Sequence, residues 1–200
     1  MKYAAQLHLP VETPFLKKAK VVIGQHVIQS HGVHRDGYNK PRAVRRYLPR
    51  KQTELVREQL PPEIQHSLIA VNLTEIRLLA PHIHLDEQAV INFYLEANGE
   101  KTSFWEGEII PDEESVVDHG NSYWNLRRDA LTEIEYFVAK PGDVWVMNTR
   151  QPHSVSYADD TRDAGLHFEP LDNTCRLIMQ AFMSTPYDEI VFSMRHKIVC

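Results

Sequence analysis

Cysteine is scarce in this chain of 200 residues, which has only Cys175 and Cys200. Two cysteines exclude a disulfide framework or a cysteine-rich zinc site and point to a reducing compartment, the cytoplasm. No apolar run approaches the roughly 20 residues of a membrane span, so no membrane partner is expected. The first twenty residues lack a charged head followed by an apolar stretch, so no secretory signal is expected either. Glycine and proline number only 8 and 12, and 42% of residues are hydrophobic, which excludes a collagen-like or disordered chain. Positive charge is not in excess: the net charge is −5, which argues against general nucleic-acid binding. A glycine-rich phosphate loop, a G-x-S-x-G elbow and a C-x-x-C pair are also missing.

What is present suits one domain with a sizeable core. The charge is uneven. Arg35 to Lys51 holds seven bases and one acid, whereas Glu106 to Asp118 holds six acids and no base. Both segments read as solvated loops, and the basic one also suits a rim that collects an anionic substrate. Residues 1–72 read as a mixed, helical part. Lys20 to Gly24 suggests a short strand, Thr53 to Leu60 a helix capped by Thr53, and Pro61-Pro62 the start of a second helix running to Val71.

From residue 73 the rhythm changes. β-branched and aromatic runs recur at Leu73–Ile83, Ala89–Ala97, Thr102–Gly107, Thr132–Lys140, Val144–Asn148, His153–Tyr157, Arg162–Phe168 and Cys175–Met183. Turn residues separate them: Asn98-Gly99, a hairpin signal, then Pro141-Gly142-Asp143 and Asp159-Asp160. Some eight evenly spaced strands predict a jelly-roll barrel over residues 73–185, buttressed by the N-terminal helices and closed by a helix within 186–200.

Histidine is plentiful, at 11 residues, and two places concentrate it with other chemistry. In Pro81-His82-Ile83-His84-Leu85-Asp86, residues two apart share a strand face. Ile76, Leu78 and Ala80 are in phase with His82, His84 and Asp86, which predicts that both imidazoles point inward. In the second place, His153 is in phase with Val155 and Tyr157. Nine residues on, Arg162 is in phase with Ala164, Leu166 and Phe168. An arginine on an inner face calls for an anion, and a carboxylate matches its planar fork. Each residue also has a plain structural reading: the histidines as hydrogen-bonded interior residues, Arg162 as the partner of a structural acid, Asp86 as the end of a strand. Trp105, Tyr123 and Trp124 suit either a pocket mouth or the core.

The stretch from about Ile76 to Met183 resembles the double-stranded β-helix of the Fe(II)/2-oxoglutarate-dependent oxygenases, which is related to the cupins. That family carries H-x-D on one strand, a third ligand histidine on a later strand, and an arginine nine or ten residues further on that binds the far carboxylate of 2-oxoglutarate. Lys140 to Val146, then Pro152-His153-Ser154-Val155, then Arg162 match the second half of this pattern. Ala89 to Leu95 and Thr102 to Trp105 resemble a subset in which an Asn such as Asn92 follows the first ligand by about ten residues. The resemblance implies Fe(II) and 2-oxoglutarate as cofactors, with Arg162 and Asn92 binding the co-substrate. For the first ligands two registers stand. Spacing to Asn92 makes His82 and His84 the pair, with His84 where the family has Asp and Asp86 as an alternative or supporting acid. His84-Leu85-Asp86 is the literal H-x-D.

The implied function is a hydroxylating oxygenase acting on a small-molecule or amino-acid-like substrate. Two other classes fit the same residues. One is a cupin-like three-histidine metal enzyme that uses no 2-oxoglutarate. The other is a non-catalytic β-sandwich module with structural histidines.

Overall fold

Strand residues alternate their faces, so a strand that buries both must be covered on both, and that requirement sets the layering here. The computed structural model describes residues 1–7, 33–35, 41–76, 79–97, 99–111, 123–157 and 176–197. Its strands are β1 (Ala4–Leu7), β2 (Val33–Arg35), β3 (Pro41–Tyr47), β4 (Leu68–Ile76), β5 (Leu79–His84), β6 (Ala89–Glu96), β7 (Glu100–Gly107), β8 (Tyr123–Asn125), β9 (Leu131–Val138), β10 (Val144–Asn148), β11 (His153–Tyr157) and β12 (Arg176–Met183). They form two antiparallel sheets, one of seven strands in the order β1-β10-β6-β12-β4-β3-β2 and one of five in the order β8-β5-β11-β7-β9. This is the mainly β jelly roll with few helices that the strand rhythm predicts.

Among the described residues three helices, α1 (Arg50–Arg57), α2 (Pro62–Gln65) and α3 (Tyr187–Lys197), lie over the outer face of the larger sheet. Val56, Leu60, Ile64, Ile190 and Met194 pack there against Val71, Ile91, Val146, Met179, Ala181 and Met183. Between the sheets lies a second core of Val90, Tyr94, Phe104, Phe137, Trp145, Val155, Ile178 and Phe182. A third, small cluster of Trp105, Leu126 and Leu131 covers the far face of the smaller sheet, and Ile83 packs on it.

Several local expectations are corrected. Helix α1 starts three residues before Thr53; its N-cap is Pro49, and the Thr53 hydroxyl donates to the Leu48 carbonyl instead of capping. The helix begun at Pro62 stops at Gln65, because Leu68 onward pairs with β12 as a nine-residue strand. The run from Leu73 to Ile83 is two strands, β4 and β5, in different sheets. Asn98-Gly99 is not a hairpin turn. Both edges of β6 are taken by β10 and β12, and those of β7 by β11 and β9, so the connection crosses from sheet to sheet. Gly99 makes the corner at φ +88°, a left-handed conformation that suits glycine. The expected strands at Lys20–Gly24 and Arg162–Phe168 lie outside the described residues.

Candidate metal centre

His82 and His84 project from β5 and His153 from the start of β11, the strand beside it. Residues His82 and His153 are register partners, so the imidazoles meet across one strand gap. Ring centroids are 4.2 Å apart for His82 and His153, 5.3 Å for His84 and His153, and 5.4 Å for His82 and His84. One ligating nitrogen from each lies within 4.8 Å of the others, and all three residues are buried. Nitrogens about 2.1 Å from one ion lie roughly 3–4 Å apart, so a small rotation closes the set.

The inward phase of the two β5 histidines has a different origin from the one the sequence suggests. Val155 pairs with Leu79 while His153 pairs with His82, so Ala80 and Pro81 of β5 oppose Ser154 alone. This β-bulge reverses the alternation. Ala80, expected inside, is exposed, and Leu79 packs on the inner core instead. The bulge is braced by the ring itself, since His82 Nδ1 bonds the Ala80 carbonyl at 2.8 Å.

Every ring is oriented through Nδ1. His153 Nδ1 meets the Gln151 carbonyl at 2.9 Å, and His84 Nδ1 meets Glu87 Oε2 at 3.2 Å. Carbonyl and carboxylate oxygens only accept, so Nδ1 carries the hydrogen in each ring. In the neutral imidazole Nε2 then keeps its lone pair for a metal. The turn after β10 ties both histidine strands together. The Thr149 carbonyl accepts from the His84 amide at 3.0 Å, the Thr149 hydroxyl donates to the Glu87 carbonyl at 2.8 Å, and Arg150 donates to the Leu85 carbonyl at 2.6 Å. Burial, then the charge of His84, holds His153 down to about 3, with Arg176 adding to the effect and the Gln151 carbonyl opposing it. A buried ring that resists protonation suits a metal ligand.

Asp86 lies beyond the end of β5, is exposed, and is not in the three-residue cluster. The acid that reaches the histidines is Glu87. Asn92 is buried on the inner face of β6, where its Oδ1 accepts from Gln180 Nε2 at 3.1 Å. Arg162 lies outside the described residues. Trp105 belongs to the outer cluster and donates to Ser154 Oγ at 2.9 Å, while Trp124 is partly exposed.

Sequence reading missed Arg176. Its residue is 3% exposed at the start of β12, its Nη1 donates to Thr102 Oγ1 at 2.7 Å, and its guanidinium lies over the Tyr94 ring at 5.6 Å. Its Nε is buried with no hydrogen-bond partner, and among the described residues no carboxylate pairs with it. Thr102 sits two residues from Phe104, the register partner of His153, so the cation and the histidines share one interior. The signal was available: Arg176 is in phase with Ile178, Gln180 and Phe182.

No protein-family model matches the chain, and no curated protein matches it. Solved structures do. The epimerase SnoN, crystallised with Fe3+, alpha ketoglutarate and nogalamycin RO, is similar over 90% of this chain and 77% of its own, at 10% identity and TM-score 0.54. The non-heme alpha ketoglutarate dependent carbocyclase SnoK is similar over 90% and 79%, at 9% identity and TM-score 0.51. The chain spans 52% of the length of E. coli ycfD, with 12% identity and TM-score 0.46. The fold is the double-stranded β-helix of the Fe/2-oxoglutarate-dependent enzymes. Within this double-stranded β-helix, the three imidazoles lie on the five-stranded sheet and Arg176 on the seven-stranded one.

Proposed function

We propose that the protein is a non-haem Fe(II) and 2-oxoglutarate-dependent oxygenase, a hydroxylase of a small molecule. The observation that carries this reading is one barrel interior that holds both a converged three-imidazole set and a buried arginine with which no carboxylate of the described residues pairs. The donor set suits the metal: three imidazoles oriented through Nδ1 are borderline ligands for a borderline ion. Iron bound there supplies the redox chemistry that couples decarboxylation of 2-oxoglutarate to oxidation of a substrate C–H bond.

The chain's own residues do the rest. His82, His84 and His153 hold the ion, and Glu87 keeps the His84 ring in place. Arg176 receives the far carboxylate of 2-oxoglutarate in its fork, with the Thr102 hydroxyl as second contact; the pairing relieves a cation that burial otherwise penalises. Asn92 lines the same pocket. Phe104, Val155, Ile178 and Phe182 exclude water from it. Arg162, nine residues after His153, is the second candidate for the carboxylate anchor.

Titration calorimetry of 2-oxoglutarate into the Mn(II)-loaded protein tests the assignment, together with succinate release under Fe(II), oxygen and ascorbate. Binding in the wild type that falls at least about tenfold in Arg176→Ala, with poor rescue by Arg176→Lys, is the expected result. The same loss in Arg162→Ala alone moves the anchor to that residue. No binding in the wild type removes the co-substrate and leaves a three-histidine metal enzyme whose buried arginine holds a substrate acid.

A further inference from the structure

The inner face of the seven-stranded sheet carries a row of amides. Asn72 on β4, Gln180 on β12 and Asn92 on β6 are register partners in sequence across three adjacent strands. Two of the three are linked. Gln180 Nε2 donates to Asn92 Oδ1 at 3.1 Å, and Gln180 Oε1 accepts from Thr74 Oγ1 at 2.8 Å. Asn92 Nδ2 finds only the weak acceptor Met147 Sδ, at 2.9 Å. The third amide is left over: Asn72 is fully buried, and neither its Nδ2 nor its Oδ1 has a hydrogen-bond partner. It faces the barrel interior, because Thr74, in phase with it, bonds Gln180 there. The next row towards the metal end is that of Phe182, whose ring stacks on His84 with centroids 5.9 Å apart.

Burying both ends of an amide unpaired is costly, and an aliphatic residue such as Ile178, the register partner of Thr74, avoids that cost. We infer that Asn72 is the docking point for an uncharged substrate group that presents an acceptor and a donor side by side, a carboxamide being the closest complement. Its Nδ2 then donates to the ligand's oxygen and its Oδ1 accepts from the ligand's N–H. The hydrogen-bonding pattern of Asn72 argues for a neutral amide, because a carboxylate or a ketone brings no hydrogen for Oδ1. Arg176 leans towards β6 and β7, over Tyr94 and against Thr102. Asn72 lies on the opposite flank of β12, where β4 pairs with β3, Tyr47 opposite Asn72 and Arg45 opposite Thr74. The inference rests on the oxygenase reading only in assigning the Arg176 flank to 2-oxoglutarate.

Three probes that differ only in the polar group separate the possibilities: isobutyramide, isobutyrate and methyl isopropyl ketone, each titrated into the full chain loaded with diamagnetic Zn(II). The readout in the wild type is the pair of side-chain NH₂ signals of Asn72 in ¹H–¹⁵N spectra. These should move with isobutyramide and stay in place with the acid and the ketone. Asn72→Leu should weaken isobutyramide at least about tenfold, the loss of two hydrogen bonds, while 2-oxoglutarate affinity stays within about twofold. If Asn72→Leu does not fold, the wild-type signals alone decide. Signals that ignore the amide, as when internal water satisfies Asn72, overturn the inference. So does an equal shift of those signals by the acid or the ketone, undiminished amide binding in Asn72→Leu, or a parallel loss of 2-oxoglutarate. A wild type that binds isobutyramide at Asn72 but no 2-oxoglutarate removes the oxygenase reading and leaves the carboxamide site standing.

Discussion

Along β12, Met179, Ala181 and Met183 face the helices, whereas Arg176, Ile178, Gln180 and Phe182 face the histidine sheet. The same sheet therefore closes two layers of opposite chemistry. The helix side is closed by aliphatic, methionine and tyrosine side chains and serves cohesion. The histidine side mixes aromatics with Asn72, Thr74, Asn92, Gln180 and Arg176, several of whose polar atoms are unsatisfied. Stability concentrated in the outer layer leaves the inner one able to carry polar groups that cost free energy when buried.

The sharpest break in this comparison comes from the inner layer. His153→Ala should abolish stoichiometric binding of Fe(II) or Mn(II), read by metal analysis of the purified protein, and the metal-free chain should still fold. Second is Ile190→Ala in the outer layer. Ile190 is fully buried, so the change should cost about 2–5 kcal/mol in urea unfolding, while metal affinity of the folded protein stays unchanged. Third, Glu87→Gln should lower metal affinity about 10–100-fold by loosening His84, and Asp86→Ala should lower it less, since Asp86 is exposed. Calorimetry that ranks the two acids the other way gives the supporting role to Asp86. A collapse of metal binding in Asp86→Ala, with His82→Ala mild, replaces the His82 register by His84-x-Asp86.

The smallest effect is on pH dependence. His153 is held at about 3 in the folded, metal-free protein, below the ordinary value near 6.5 it regains on unfolding. Between those values the unfolded chain binds the extra proton. The His153 contribution to stability is therefore complete above about 6.5 and declines as pH falls towards 3, by up to about 1.4 kcal/mol per pH unit. Urea midpoints at pH 7, 6 and 5 should show this slope, and His153→Phe should flatten it. Bound metal should flatten it too, because it competes with the proton.

Much of this was legible in the chain. The bounds of β10 and β11 coincide with the runs read for them, and the phase of His153 with Val155 agrees with the inner face they share, whereas His82 and His84 face inward through the bulge and not through their phase with Ala80. What escaped depends on contacts between distant residues. Ala4–Leu7 becomes a strand because Val144 to Met147 gives it partners, and nothing within four residues signals that. The bulge at Ala80 and the crossing at Gly99 follow from which edges are already occupied. Glu87 reaches His84 only because the chain turns after β5, so its spacing carried no strand or helix signature. Arg176 was open to the same phase argument that was spent on Arg162. Asn72 stood in a segment read as leading out of a helix, and its solitude emerges only once Gln180 has been drawn to Asn92 and Thr74.

The central position of β12 has a consequence for synthesis. This strand comes last of the twelve described strands, yet it fills the gap between β4 and β6. Until residues 176–183 have left the ribosome, those two strands keep open edges, and the pocket lacks the wall that carries Arg176, Gln180 and Phe182. The nascent chain thus passes through a stage in which apolar strand edges are available to other chains, the condition under which β proteins pair wrongly. Ligation of metal by His82, His84 and His153 needs only β5 and β11, both synthesised earlier, so an ion captured at that stage can pin the smaller sheet while the larger one waits for its middle strand.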